Sequence, residues 1–157
     1  MKLNLGCGNL VIEGAIGVDS RQCGAADMLL DLEQFPWPFA SERAEEIWAL
    51  DIIEHVSQRA FWPFLEECHR ILKSARALHI RTGYWKTPNS FTDPTHQRFP
   101  TELTFDFCVP GTMFGEKYPH YTWARFEKLE CRMDGQEMIV DLRKIDVPLC
   151  KCCGRVH

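Results

Sequence analysis

Gly6-Cys7-Gly8-Asn9 follows a short apolar run, Leu3-Asn4-Leu5, so two glycines stand where a strand would end. An open parallel sheet places its ligand crevice beyond the carboxyl ends of its strands, and glycines there let the backbone approach a ligand closely. The next apolar run, Ala15-Ile16-Gly17-Val18, stops at Asp19, where a carboxylate can accept hydrogen bonds from both hydroxyls of a ribose. A third, Asp27-Met28-Leu29-Leu30, stops at Asp31, within reach of an adenine amino group. Three successive strand ends thus offer a glycine turn, an acid and an acid. A nicotinamide-dinucleotide fingerprint fits less well, because it wants a third glycine and an acid ~20 residues on, whereas Asp19 comes 13 residues after Gly6. Farther along, Asp51, His55 and His96 are the side chains suited to take a proton or touch an acceptor. Each also has an ordinary structural alternative: Asp51 at a helix N-terminus, His55 holding the turn after it, His96 capping the region of Thr101.

Cysteine offers a second chemistry. Cys150, Cys152 and Cys153 with a terminal His157 invite a zinc reading, but adjacent cysteines rarely share an ion and no second pair with ligand spacing follows. No metal site is expected. Cys7 reads as a small apolar filler beneath the glycine turn. The aromatic residues Tyr84, Trp85, Phe91, Phe99, Tyr118, Tyr121 and Trp123 crowd one stretch, either as an acceptor wall or as a small core.

These residues need elements to position them. The three runs above are read as strands, and a fourth runs from Glu46 through Ile47-Trp48-Ala49-Leu50 to Asp51, after a short helical turn that Ser41 caps. From Phe61 to Lys73, Phe61, Phe64, Leu65, Cys68, Ile71 and Leu72 recur at helical spacing, and Pro63 sets the start near Trp62. A fifth strand covers Ala77-Leu78-His79-Ile80-Arg81, and a short helix spans Thr101 to about Cys108. Asp134-Gly135 marks a two-residue hairpin between strands at Phe126–Met133 and Gln136–Ile145. Alternating strands and helices predict an α/β fold: a Rossmann-like, doubly wound, mainly parallel sheet covered on both faces, with a C-terminal antiparallel hairpin.

At this point the sequence resembles a known family, the class I S-adenosylmethionine-dependent methyltransferases, in particular small members similar to methyltransferase type 11. The likeness rests on Gly6-Cys7-Gly8, Gly14-Ala15-Ile16-Gly17-Val18-Asp19, Asp31-Leu32 followed by Phe35-Pro36-Trp37-Pro38-Phe39, Ile53-Glu54-His55-Val56, Glu67-Cys68-His69-Arg70-Ile71-Leu72-Lys73, and Asp93-Pro94-Thr95-His96 with Phe99-Pro100-Thr101. These pieces span residues 2–105 in order. The family usually follows its Leu-Lys with Pro-Gly-Gly, where this chain has Ser74-Ala75-Arg76-Ala77, and the short interval from Gly8 to Gly14 leaves room for a loop in place of a first helix. The resemblance implies S-adenosylmethionine as cofactor, with Leu5, Gly6, Cys7 and Gly8 at its methionine portion and Asp19 at its ribose. It places Asp31 and Leu32 near adenine, Leu50 and Asp51 beside the methyl group, and Asp51, His55 and His96 as catalytic candidates. It implies methyl transfer to a small-molecule or saccharide-type acceptor, or else a non-catalytic protein that binds the cofactor or a partner through the same fold.

Length and composition bound the rest. The 157 residues, 45% hydrophobic and 25% charged, suit one globular domain over 1–149 with a cysteine-rich tail at 150–157. Eight cysteines are too few for a disulfide scaffold, and with neither an apolar leader nor a membrane span visible the expected location is cytoplasmic. The net charge of −4 is uneven: residues 1–56 carry three basic and ten acidic side chains, and residues 69–98 six basic and one acidic. The acidic front argues against a nucleic-acid partner, and the basic stretch suggests an anionic acceptor. Because the first strand starts at once, cover for the substrate is expected from residues 83–123 or from the second subunit of a homodimer.

Overall fold

The apolar runs that precede Gly6, Asp19 and Asp51 become the central strands of a seven-stranded sheet in the computed structural model, which describes residues 1–146. The strands are β1 (Lys2–Leu5), β2 (Ala15–Asp19), β3 (Met28–Leu29), β4 (Ala44–Leu50), β5 (Leu72–Gly83), β6 (Phe126–Asp134) and β7 (Glu137–Lys144). Their order is β3-β2-β1-β4-β5-β7-β6. The first five pair in parallel, and β7 inserts antiparallel between β5 and β6. The chain order reverses direction at β1, between β2 and β4, which is where such sheets open a crevice. The cysteine-rich tail and the zinc reading attached to it lie outside the described residues.

One face of the sheet carries the core. Leu3, Leu5, Ile47, Ala49, Leu78, Ile80, Val140 and Leu142 alternate inward and pack with Phe61, Phe64, Leu65 and Cys68. Those last four belong to the one long helix, α1 (Phe61–Ile71), whose Pro63 sits in the first turn, where a missing N–H costs nothing. Two five-residue helices follow, α2 (Pro88–Thr92) and α3 (Met113–Lys117), the second capped by Thr112, whose hydroxyl accepts from the Gly115 amide. The predicted helix at 101–108 is a tighter 3-10 turn over Thr104–Cys108.

The opposite face differs from expectation. Loops cover it over β1 and β2, but among the described residues no helix covers β4, β5 and β7 there. Trp48 stacks on His79 with ring centroids 5.3 Å apart, and His79 Nδ1 lies 2.8 Å from Asp141 on this half-exposed face. The helical turn predicted before β4 is also absent: Glu42 takes a left-handed backbone (φ 56°), and the amides of Glu42 and Arg43 donate to carbonyls at the end of α1 instead. In place of Pro-Gly-Gly, helix α1 runs straight into β5, and Ala75 (φ 57°) supplies the left-handed residue a glycine would. A side chain there costs roughly 1–2 kcal/mol.

Candidate active site

The glycine turn is built from β1 outward. The amides of Gly6 and Cys7 both donate to the Val18 carbonyl of β2 (2.8 and 3.1 Å), which folds the chain back across the strand ends. Gly6 is left-handed (φ 65°), and a Cβ there would meet Ile52 at 2.7 Å. Gly8 is left-handed too (φ 51°), but a Cβ on it would point into open space, so its freedom serves the turn and leaves its backbone bare to a ligand. Asp19 fastens the turn: its carboxylate accepts from the Gly8 amide (2.9 Å) and the Arg21 amide (3.0 Å). Burial alone would raise the Asp19 carboxyl, yet those two amides, with the Arg21 charge and the Cys23 thiol, together outweigh it and hold the group below the ordinary carboxylate value. An ionised carboxylate offers about four lone-pair positions, so acceptor capacity remains for a ligand beyond the two amides and the Cys23 thiol. The Cys7 thiol beneath is pushed up to about 11, first by burial and then by Cys23, which makes it a filler and not a nucleophile.

A cleft of about 800 Å³ opens over this turn. Gly6, Cys7, Gly8, Asp19, Asp31, Leu32, Leu50, Asp51 and His55 all line it, so nearly every residue expected at a cofactor converges there. Leu5 does not: it is fully buried in the core. A second cavity of about 520 Å³ adjoins, sharing Asp51, His55 and Asp93 with the first, and there His96 lies. Several other lining residues, among them Asn9, Arg21, Glu33, Arg81, Asp93 and Thr95, were not among the expected site residues. Asp93 and Thr95 stood in the Asp-Pro-Thr-His motif and were the ones within reach.

The three catalytic candidates differ in their engagements. Asp51, left-handed at the end of β4 (φ 56°), faces no helix N-terminus but accepts from Arg81 Nε (3.0 Å) and again from the other guanidinium arm. His55 Nδ1 lies 3.0 Å from the Thr95 hydroxyl, and His96 Nδ1 donates to the Ser90 carbonyl (2.8 Å) rather than capping the Thr101 region. The rings of His55 and His96 meet edge to face at 4.7 Å. Their segments are strapped together, because the amides of Gln97 and Arg98 donate to the Glu54 carbonyl (2.8 and 3.1 Å).

Two expectations about the acceptor side lose their basis. None of Tyr84, Trp85, Phe91, Phe99, Tyr118, Tyr121 and Trp123 lines either cavity. Tyr118 and Tyr121 stack with Phe107 at 5.5 Å each, forming a partly exposed aromatic cluster of their own. Most of the basic stretch is paired with carboxylates from several parts of the chain: Arg70 with Glu67, Lys73 and Arg76 with Glu45, and Arg81 with Asp51 and Glu137, while Lys86 lies over the Tyr84 and Trp85 rings. Arg98 spends its guanidinium on the carbonyls of Val56 and Ser57. Hence no basic patch faces the cleft to favour an anionic acceptor.

Comparison with solved structures gives the fold a name. A methyltransferase dependent on S-adenosylmethionine from Archaeoglobus fulgidus superposes with a TM-score of 0.65 at 16% identity, over 91% of this chain and 85% of the other. The fold is that of class I S-adenosylmethionine-dependent methyltransferases. The N1-methyltransferase of 1,6-didemethyltoxoflavin from Burkholderia thailandensis, solved with its substrate and S-adenosylhomocysteine, matches at TM-score 0.63 and 12% identity, over 92% and 71% of the two chains. The cyclase SpnF shares the same methyltransferase-type fold at TM-score 0.62 and 13% identity, over 91% and 73%. No protein-family model matches the sequence, and no curated protein matches it closely. Among the described residues, no helix is long and apolar enough to cross a membrane.

Proposed function

We propose that the chain transfers a methyl group from S-adenosylmethionine to a hydroxyl or amine of a small-molecule acceptor, a saccharide among the candidates. The observation that carries this reading is convergence. The glycine turn, Asp19, Asp31 with Leu32, and Leu50 with Asp51 share one cleft of about 800 Å³, within the ~300–1,000 Å³ of small-molecule sites. The residues fit such a ligand: Gly8 exposes its backbone, and Asp19 is ionised with lone pairs to spare. When bound, the cofactor supplies a sulfonium methyl; the bond from acceptor to carbon forms as the carbon–sulfur bond breaks, S-adenosylhomocysteine leaves as a neutral thioether, and the acceptor's proton is released.

The chain's own part is positioning. Gly6 and Gly8 hold the turn open, Asp19 anchors the ribose, and Leu32 offers the adenine an apolar surface. The second cavity holds the acceptor in line with the methyl group, which supplies much of the acceleration by itself. On its wall, His55 and His96 present imidazole nitrogens able to take a proton or hold a cation. A radiolabelled-methyl assay against a panel of sugars, diols and amines, with calorimetric titration of S-adenosylhomocysteine, tests the reading. Failure to bind S-adenosylhomocysteine would sink it.

A second reading, a non-catalytic binding protein on the same fold, draws on the sheet face that helices leave open around Trp48, His79 and Asp141. Cofactor binding without methyl transfer to any acceptor, joined to capture of a protein partner that Trp48→Ala abolishes, would favour it.

A further inference from the structure

The second cavity is electronegative. Asp51, Glu54, Asp93 and Glu137 line it with His55 and His96, and neither lysine nor arginine is among its lining. Arg81 reaches Asp51 and Glu137 from the sheet beneath. The Glu137 carboxyl is nevertheless raised above its ordinary value, by burial first and then by the charges of Asp51 and Glu54, against the pull of Arg81. A cavity with this surplus of negative charge attracts a cation.

At its mouth three side chains are arranged to hold one. His55, Asp93 and His96 each bring one ligand atom within 4.8 Å of the other two. Hydrogen bonding settles which nitrogens are free. The Ser90 carbonyl can only accept, so neutral His96 carries its proton on Nδ1 and keeps a lone pair on Nε2. Thr95 donates its hydroxyl to Asp93 Oδ1 (2.7 Å), so the bond between that hydroxyl and His55 runs from the ring: His55 Nδ1 donates, and its Nε2 has no hydrogen-bond partner among the described residues. The Thr95 amide donates to the same Asp93 oxygen (2.8 Å), which leaves the other carboxylate oxygen without a protein partner among the described residues. Imidazoles whose second nitrogen donates to a carbonyl or hydroxyl are the ones that ligate metals. Ligands at ~2.0–2.2 Å from an ion stand ~3–3.5 Å apart, a closure that takes small rotations of the His55 and His96 rings together with the exposed Asp93 carboxylate.

We propose that His55, Asp93 and His96 bind a divalent cation, with its remaining positions turned toward the cavity for oxygens of the acceptor. Two imidazoles and one carboxylate suit Mn²⁺, Fe²⁺ or Zn²⁺. An ion there neutralises the acid-lined wall and favours a chelating acceptor, a vicinal diol or hydroxy acid. That last step rests on the methyl-transfer reading, whereas cation binding does not.

The test uses Mn²⁺, because cysteine sulfur, at Cys7, Cys23 or in the tail, prefers softer ions. The full chain, stripped with chelator, is titrated while electron paramagnetic resonance follows the free ion. One Mn²⁺ per chain is expected. His96→Ala and Asp93→Asn should each weaken binding by about a hundredfold, and Thr95→Val, which removes the partner of both His55 and Asp93, by about tenfold. Replacing Cys150, Cys152 and Cys153 with serine should leave it unchanged. Circular dichroism confirms that each variant folds. Absence of binding up to about 1 mM free ion, or binding that His96→Ala and Asp93→Asn both leave intact, overturns the proposal. Titration of S-adenosylhomocysteine into the same samples reads the cofactor cleft separately, so failure of one site is not mistaken for failure of the other.

Discussion

Replacing Arg70 with leucine tests whether the Glu-x-x-Arg pair is a structural brace. Arg70 Nε and Nη2 each donate to Glu67 at 2.6 Å. The same guanidinium donates to the carbonyls of Phe39 (2.8 Å) and Trp37 (3.2 Å) and to the Ser41 hydroxyl (3.2 Å). Glu67 completes the brace by accepting from the Trp37 amide at 2.8 Å. One ion pair on α1 thereby ties down the segment whose Trp37 ring meets Phe64 edge to face at 5.2 Å in the core. Removing one partner of a buried pair costs ~3–5 kcal/mol. The Arg70 side chain is 25% exposed and that of Glu67 only 11%, so water recovers part of this loss and the lower end, about 3 kcal/mol, is expected. With a urea slope of about 2 kcal/mol/M, the unfolding midpoint should fall by roughly 1.5 M. Glu67→Leu should cost a similar amount, and the double variant about 1–2 kcal/mol less than the sum. A loss below about 1 kcal/mol at unchanged slope, or strictly additive costs, would refute the brace.

Three further outcomes follow from the geometry. Asp19→Asn keeps the shape but sets an amide N–H₂ against a backbone donor; losing a charged acceptor costs ~1.5–3 kcal/mol, so S-adenosylhomocysteine should bind roughly 10–150-fold more weakly by calorimetry, and a change under about threefold would remove Asp19 from the site. Gly17→Ala would drive its Cβ to 1.8 Å from the Ala25 carbonyl oxygen, a backbone atom, so the variant should melt far below wild type or fail to accumulate as soluble protein. His69 is held below the ordinary imidazole value of about 6.5, by burial first, with the Ile145 carbonyl opposing and Lys144 adding to it. The unfolded chain therefore takes up this proton first, and stability should fall as pH drops from about 6.5 to the lowered folded value, by up to ~1.4 kcal/mol per pH unit. Melting curves between pH 7.5 and 5 should show this slope, and His69→Phe should flatten it.

What was legible in the sequence was what depends on strand ends. A run of apolar residues halting at Gly6, Asp19, Asp31 or Asp51 needs no knowledge of neighbours, and those residues meet in one cleft because parallel strands bring their carboxyl ends to the same edge. The hairpin was equally local, although its two loop residues are Gly135 and Gln136, one place on from the expected Asp134-Gly135, because Asp134 still pairs with Glu137. Charge was not. Lys73, Arg76 and Arg81 look like a basic patch until β4 and β5 pair and set Glu45 and Asp51 beside them. The aromatic stretch misled for the same reason: whether Tyr118 and Tyr121 face a ligand or Phe107 depends on how a long connection folds, and no local period encodes that. The Thr95–His55 bond joins residues 40 apart, so the role of Thr95 could not be read from its own motif.

The short connection from β1 to β2 explains how a sheet of this type keeps its turn without a first helix. An amphipathic helix would hold Gly6 and Gly8 from behind by apolar packing. Here polar cross-links do that work: the Asn4 side-chain Nδ2 donates to the Leu10 carbonyl (2.7 Å), the Gly24 backbone amide to the Asn9 side chain (2.8 Å), and the Ala25 backbone amide to the Gly8 carbonyl (3.1 Å). Asp27 clamps Gly17 from both sides, its carboxylate accepting the Gly17 amide (2.8 Å) and its own amide donating to the Gly17 carbonyl (2.9 Å). Each such bond contributes only ~0.5–1.5 kcal/mol net, so the wall depends on all of them closing together. That requirement accounts for Gly17, the one position on β2 where a side chain would push the 23–27 loop off the strand. It also makes Asp19 central, since the same carboxylate that is proposed to meet the ribose holds the Gly8 turn in place.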